Sequence, residues 1–296
     1  MSTSAPHILL PTQLGDDAAP VASMPPVTVV DTGSPAPSYS LGAGDSQYHP
    51  ALLNRAQADR ALSRLGQGSG EVTYQQWHAM PRRGKPRAAL HPLRRIKVAM
   101  ATPDPETGFI PHYRFPVNDQ RRHGVVVPMT PTVRELRERV EQATGTRFNH
   151  AVVLLYRSGD DCIGFHKDKM LDLDPLAPIV GVSLGAVRTY AWRDDIFAPT
   201  RQIELRLGHG SMLVLGPRTN DTHYHSVRKP DAEDLQRDPS LATGVRVSVT
   251  FRRVATFVDG DGRLHGQGSD YSDLNWPAQL RGMHRLDDQV DRPLDR

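Results

Sequence analysis

A single cysteine, Cys162, stands among 296 residues. An internal disulfide is therefore excluded, and a reducing compartment fits. No apolar run approaches the length of a membrane span, so no membrane association is expected. No Lys or Arg precedes Arg55, which leaves out both the positive n-region of a secretory signal and the Arg-rich pattern of a mitochondrial transit peptide. An intracellular protein, cytoplasmic or nuclear, is expected, and a monomer. No internal repeat is visible, so a solenoid or array is not indicated.

Basic residues missing from the start are concentrated later. The first 54 residues carry four Asp and no Lys or Arg, so a whole-chain charge of +3 leaves +7 on the remainder. Seven of these cations, Arg82, Arg83, Lys85, Arg87, Arg94, Arg95 and Lys97, fall in sixteen residues without one acidic residue among them. Such a stretch suits a phosphate backbone, which attracts Lys and Arg without being read for sequence. It equally suits a solvated loop whose charge only aids solubility. Residues 1–45 contain seven Pro with Ser, Gly and Ala and show no helical or alternating pattern, so disorder is expected there.

The apolar pattern predicts a mainly β (α+β) protein. An apolar content of 38% over this length is enough for one substantial core plus tails. Helices are predicted at 50–65, ended by Gly66, and at 131–144, ended by Gly145, with Thr132 and Glu135 forming a capping box and Val133, Leu136 and Val140 an apolar stripe. Short strands are predicted at 151–156, 179–184, 187–192, 202–207, 211–215, 223–227 and 245–254, separated by Gly, Asp or Pro turns. The sequence after Phe257 is polar, rich in Gly and Asp, and is expected to be a tail, with Trp276 and Leu280 either docking on the core or marking a short helix.

Two segments carry chemistry. Gly164-Phe165-His166-Lys167-Asp168 offers His-x-Asp, and about sixty residues on Thr222-His223-Tyr224-His225-Ser226 offers a further His. A His-x-Asp pair with one distant His is the ligand set that holds Fe(II) on one face and leaves the opposite positions open. Side chains two apart on a strand point the same way and can grip one ion. His166 and Asp168 meet that condition, whereas His223 and His225 share a strand face and spacing does not choose between them. Further on, Val245, Val247, Val249 and Phe251 alternate with Arg246, Ser248, Thr250 and Arg252. This describes a strand with an apolar side and a cationic side. Two guanidinium groups on a packed face require an anionic partner, because an unpaired buried charge is expensive and Arg grips carboxylates bidentately. A dicarboxylate such as 2-oxoglutarate would supply it.

From Trp77 to Val254 the chain resembles the AlkB-type Fe(II)/2-oxoglutarate dioxygenases. The resemblance rests on Leu155-Tyr156, the run from Gly159 to Asp168, Ser183-Leu184-Gly185, Arg188, Gly210-Ser211-Met212-Leu213, Thr222 to Ser226 and Arg246 to Arg252, in that order. It implies a double-stranded β-helix (jelly roll) core with supporting N-terminal helices, spanning 46–256, with the core at 148–254 and a substrate lid at about 74–128. It also implies Fe(II) held by His166, Asp168 and His225, with 2-oxoglutarate and O2 as co-substrates. The family's Tyr-His-Ser context selects His225. Arg246 and Tyr156 would hold the distal carboxylate, Ser248 would lie between the two Arg residues, and Arg252 would sit near the carboxylate beside the metal.

In the lid, Arg82, Tyr113 and Phe115 become the candidates for contacting a flipped base. The expected activity is oxidative demethylation of N-alkylated bases in DNA or RNA, releasing succinate, CO2 and formaldehyde. Three positions depart from the family's nucleic-acid repair members: Leu154 and Ser248 replace Asn, and Met170 replaces an acidic residue. Met170 and Leu154 favour a second reading, hydroxylation of a small molecule or protein side chain. A non-catalytic nucleic-acid-binding module of the same fold is the third. Residues 118–128 have no assignable counterpart.

Overall fold

The computed structural model describes residues 27–29, 38–79, 91–114, 126–195 and 199–270. The chain enters through β1 (Val27–Val29), β2 (Ser38–Leu41) and β3 (Ser46–His49), then forms α1 (Arg55–Leu65). Five short strands follow, β4 (His78–Ala79), β5 (His91–Pro92), β6 (Ile96–Ala101), β7 (Ile110–Pro111) and β8 (Val127–Pro128), and then α2 (Pro131–Thr144). The central strands are β9 (His150–Tyr156), β10 (Ile163–His166), β11 (Ile179–Gly185), β12 (Arg188–Arg193), β13 (Gln202–Leu207) and β14 (Ser211–Leu215). After these come α3 (Pro217–Thr222), β15 (Tyr224–Val227), α4 (Ala232–Arg237), β16 (Arg246–Arg252), β17 (Thr256–Val258) and β18 (Leu264–Gly266).

Two sheets make the jelly roll. The larger runs β2-β3-β14-β11-β16-β9-β6-β8 and the smaller β1-β13-β12-β15-β10. The strand β16 shows why the sheets stack as they do. Its Val247, Val249 and Phe251 join the cluster that includes Val133, Leu136 and Val140 of α2 and Ala58, Ala61 and Leu65 of α1. The alternate residues Arg246, Ser248, Thr250 and Arg252 face the opposite way and line a cavity between the sheets. The helices thus cover one face of the larger sheet, and each buried aliphatic side chain contributes roughly 1.5–3 kcal/mol. A second cluster, including Trp192, Leu205, Leu213 and Ile179, fills the space between the sheets.

Local details differ from the sequence expectations. The first helix starts at Arg55 rather than 50, because Asn54 and Gln57 form the capping box. The second occupies the predicted span, yet its cap is Thr130, whose hydroxyl accepts from Val133 N. Thr132 instead gives its N–H and its hydroxyl to the two carboxylate oxygens of Glu71, at 2.8 and 2.9 Å. That places a negative charge at the helix N-terminus, where the helix dipole favours it.

The disorder expected throughout 1–45 is corrected in part. Val27–Val29 pairs in parallel with β13, and Ser38–Leu41 pairs with β3; open sheet edges supply backbone partners that composition does not reveal. Of the lid expected at 74–128, residues 80–90 and 115–125 lie outside the described residues, and the expectation is corrected only at 96–101, where β6 is an interior strand of the larger sheet between β9 and β8. Its hydrogen-bonding partner β9 lies far along the chain, which a local pattern does not show.

The polar tail expected from 257 is corrected up to residue 270. There β17 pairs with β18 and with β7, and Gly268 O accepts from Arg114 Nη2 at 2.8 Å. Arg114 is paired with Asp172 at 2.5 Å, each side chain 1% exposed. Trp276 and Leu280 lie outside the described residues. Removing one member of a fully buried ion pair strands the other charge and typically costs about 3–5 kcal/mol. Asp172→Ala should therefore lower the unfolding free energy by that order in chemical denaturation; a loss near zero would mean that Arg114 finds another anion.

Among the described residues, no helix is long and apolar enough to cross a membrane.

Candidate active site

The site forms where the edge strand of the smaller sheet meets its neighbour. His166 on β10 and His225 on β15 are direct cross-strand partners, so their rings come within 4.3 Å, centroid to centroid. The pairing is irregular between Ile163 and His166, the kind of bulge that re-aims a side chain. With Asp168 the two imidazoles offer three ligand atoms, all within 4.8 Å of one another. His223 is the C-terminal cap of α3 and takes no part in this group; its Nδ1 lies 2.8 Å from Thr222 Oγ1. The choice that spacing left open therefore falls on His225.

Asp168 reaches the site by a route other than the one expected. Strand β10 ends at His166, so alternation along a strand does not bring His166 and Asp168 together. Beyond the strand, Asp168 N–H donates to Asn220 Oδ1 at 2.9 Å and Asn220 Nδ2 donates to Asp168 O at 2.9 Å. Asn220 is 1% exposed. Sequence reasoning missed it, and a lone Asn in a six-residue helix carries no signal that would have found it.

The donor set suits a divalent cation. His166 Nδ1 lies 2.8 Å from the Gly164 carbonyl; a carbonyl only accepts, so Nδ1 carries the proton and Nε2 keeps its lone pair for a metal. Burial pushes the His225 imidazole down to about 3, with His166 adding to the effect and Asp168 opposing it, so the ring is neutral as a ligand must be. Burial would raise the Asp168 carboxyl, but Arg252, His225 and His166 outweigh it and hold the group at about 2. Asp168 is a carboxylate at any physiological pH. Arg252 Nη2 donates to Asp168 Oδ2 at 2.8 Å.

Deeper in the cavity lies Arg246, 2% exposed. Its Nη2 donates to Ser183 Oγ at 3.0 Å and to Ser248 Oγ at 3.3 Å, its guanidinium lies over the Tyr156 ring at 4.9 Å, and its Nε and Nη1 make no hydrogen bond. Among the described residues, no carboxylate pairs with it. A buried guanidinium facing a cavity with donors to spare is a seat for an anion. Leu154, Ile179, Leu213 and Leu215 make the rest of that wall apolar. A linear dicarboxylate with a methylene spacer fits this arrangement, one end on Arg246 and the other near the His-Asp-His group. Tyr156, Arg246, Ser248 and Arg252, the residues the resemblance implies for 2-oxoglutarate, all line this cavity.

The lid candidates fare differently. Arg82 and Phe115 lie outside the described residues, as do Arg83, Lys85, Arg87 and residues 118–125. Tyr113 is corrected: it is 8% exposed and packs against Arg252 and His150, so it backs the site instead of presenting a face to a base. The alternation His112-Tyr113-Arg114 pointed to a strand-like core position as readily as to a lid. His150, fully buried, is pushed down to about 3 by burial and then by Arg252 and His112, and stays neutral beside Arg252. Of the basic run, Arg95 is buried and donates to Cys162 O at 2.9 Å, and Lys97 sits over the Trp77 ring at 3.8 Å. These two are docked parts of the fold, not free cations of a loop.

A jelly roll with a His-Asp-His group at its mouth and an anion seat behind it defines an Fe(II)/2-oxoglutarate oxygenase. The chain belongs to the 2OG-Fe(II) oxygenase superfamily, whose family model matches residues 45–252. Within that superfamily the curated proteins it is similar to are of the AlkB type. It is 36% identical over 135 residues to the mouse DNA oxidative demethylase ALKBH2, covering 43% of this chain and 52% of that protein. The human ALKBH2 is 35% identical over 133 residues, 43% of this chain and 48% of that protein. The human alpha-ketoglutarate-dependent dioxygenase alkB homolog 3 is 30% identical over 131 residues, 42% of this chain and 43% of that protein. The chain spans about half the length of the curated relatives it matches. Family membership supplies Fe(II), 2-oxoglutarate and O2 as the reagents, and the residues described above fit them.

Proposed function

We propose that this protein oxidatively removes N-alkyl groups from bases in DNA or RNA. The observation that carries the proposal is the geometry of one cavity: three metal-ligating side chains at its mouth and an unpaired, buried Arg246 at its base. The similarity to proteins named as DNA oxidative demethylases points the chemistry toward alkylated bases. Held by His166, Asp168 and His225, Fe(II) with 2-oxoglutarate and O2 would supply the oxidation of a C–H bond to an alcohol, balanced by conversion of 2-oxoglutarate to succinate and CO2. On an N-methyl group the hydroxylated product separates into formaldehyde and the free amine.

The chain's own residues have defined tasks in this scheme. His166, Asp168 and His225 hold the ion from one side. Arg246 and Tyr156 anchor the distal carboxylate, with Ser183 and Ser248 accepting from the guanidinium and fixing its plane. Arg252 neutralises Asp168 and keeps its carboxylate turned toward the imidazoles. The apolar wall of Leu154, Leu213 and Leu215 excludes water from the keto-diacid. The surplus of positive charge after residue 54 favours a polyanionic partner.

Incubation with N-methylated DNA and RNA oligonucleotides should give formaldehyde and succinate in equal amounts, with binding weakened by added salt. A specific observation favours a second reading, hydroxylation of a small molecule or protein side chain: Met170, where repair members of the family place an acid, packs against the apolar cluster between the sheets. Succinate formed without formaldehyde on every oligonucleotide would overturn the demethylase proposal in favour of that reading.

A further inference from the structure

We infer that Asn220 is a positioning residue for the metal site, and that through it the β2–β3 hairpin controls how tightly a divalent ion is held. The inference rests on the His-Asp-His site described above and not on the identity of the substrate.

Asp168 has no strand to hold it, since β10 ends two residues earlier. Its backbone N–H and C=O are instead both taken by one side-chain amide, that of Asn220, at 2.9 Å each. This imitates the paired bonds of a β-ladder. Of residues this size, only Asn offers an acceptor and a donor on one planar group. Asp would keep the acceptor, lose the donor and set a second negative charge beside Asp168; Leu has nearly the same shape and neither. The neighbouring Lys167 is tied the same way, its ammonium donating to Asp221 O. Residues 167–168 are thus pinned to α3, the helix that leads directly into β15 and His225. One short unit fixes the spacing between ligands that lie 57 positions apart.

That unit is itself bolted to the N-terminal hairpin. The Asp45 carboxylate, in the turn between β2 and β3, accepts from Arg218 N at 2.8 Å, Thr219 N at 3.1 Å and Thr219 Oγ1. Ala43 N donates to Thr219 Oγ1 at 2.9 Å, and Gly216 N to Ser46 Oγ at 3.0 Å. The fit has no slack: a Cβ at Gly216 would collide with the Asp45 carboxylate, and one at Gly42 with the Thr219 side chain. A path of direct contacts therefore runs from Asp45 through Thr219 and Asn220 to Asp168.

Partners that orient a ligand typically change metal affinity by about 10–100-fold when removed. Mn(II) binding to the full chain, followed by electron paramagnetic resonance, reads this without turnover. Asn220→Leu should weaken Mn(II) by that factor, with metal-free circular dichroism unchanged. Asp45→Ala should weaken it less and in the same direction. Leu136→Ala, in the helix-covered core away from the site, serves as a destabilised control and should bind Mn(II) as the wild type does. Wild-type affinity in a folded Asn220→Leu protein overturns the inference. Should that variant fail to fold, Asp45→Ala decides, and unchanged affinity there overturns the hairpin's role. Failure of the wild type to bind Mn(II) would instead remove the metal site itself, while success here with no demethylation would leave the inference standing and sink only the proposed substrate.

Discussion

His225→Ala should abolish 2-oxoglutarate turnover, whereas His223→Ala should leave it within about twofold, the range of a surface substitution. Only two positions separate these residues, and both fall in a segment the sequence reads as one strand. The difference lies in where each points. His225 is 5% exposed, stacks on Tyr190 at 5.5 Å and faces His166 across the ladder. His223 lies at the end of α3, partly exposed, with its ring beside Thr222. Removing one of three ligands takes away a direct bond to the ion, so the loss should exceed the roughly 10–100-fold typical of a supporting residue. Succinate release by both variants, with Mn(II) affinity measured alongside, checks this. Equal losses in the two would mean that the third ligand is not the one the geometry selects.

Arg246→Met should raise the KM for 2-oxoglutarate by about 30-fold to several thousand-fold while leaving Mn(II) affinity unchanged. Truncating one partner of a buried, hydrogen-bonded charge pair costs about 2–5 kcal/mol, and each 1.4 kcal/mol is tenfold. Methionine keeps the length and apolar stem of the side chain, so the cavity stays filled and the change isolates the charge. Arg246→Lys should recover only part of the loss, because an ammonium lacks the planar fork that meets a carboxylate at two points and keeps Ser183 and Ser248 engaged. Titration of 2-oxoglutarate into the Mn(II)-loaded protein separates the two sites cleanly. A Met variant with near wild-type affinity would show that the anion sits elsewhere, and the orphaned Nη1 would then need another explanation.

The two experiments divide the site by function. One removes the metal and the other its co-substrate's anchor, and each is expected to leave the opposite half intact. The distinction matters because Asp168 and Arg252 couple the halves: the guanidinium that neutralises the ligand carboxylate also lies at the metal end of the cavity. A variant that lost both metal and 2-oxoglutarate would point to Arg252 or to Asp168, and not to Arg246.

Much of this was legible because it is local. The alternation of Val247, Val249 and Phe251 with Arg246, Ser248 and Arg252 is a period-two pattern in seven consecutive residues, and it fixes both the strand and its two faces. Helix α2 is read from Val133, Leu136 and Val140 and the Gly145 that ends it in the left-handed region. The motif His-x-Asp likewise needs no knowledge of distant residues to be noticed. What escaped were relations between segments. Thr132 resembles part of a capping box until Glu71 is brought to it from 61 residues earlier. Tyr113 resembles a base-stacking aromatic until Arg252 is placed behind it. The segments before 46 and after 257 read as tails from composition alone, yet parts of both pair with strands elsewhere.

The sequence by itself determined the chemistry: a His-x-Asp, a later His and a two-Arg strand specify which donors are available and which charges must find partners. Tertiary structure alone decided which His joins the group, how Asp168 is held beside it and which charges are left over for a ligand. The reason is physical. Side-chain type and strand period are carried by neighbouring residues, but an orphaned guanidinium, or an amide that replaces a strand partner, exists only once burial has removed water and left each polar group to whatever the fold places within hydrogen-bond distance.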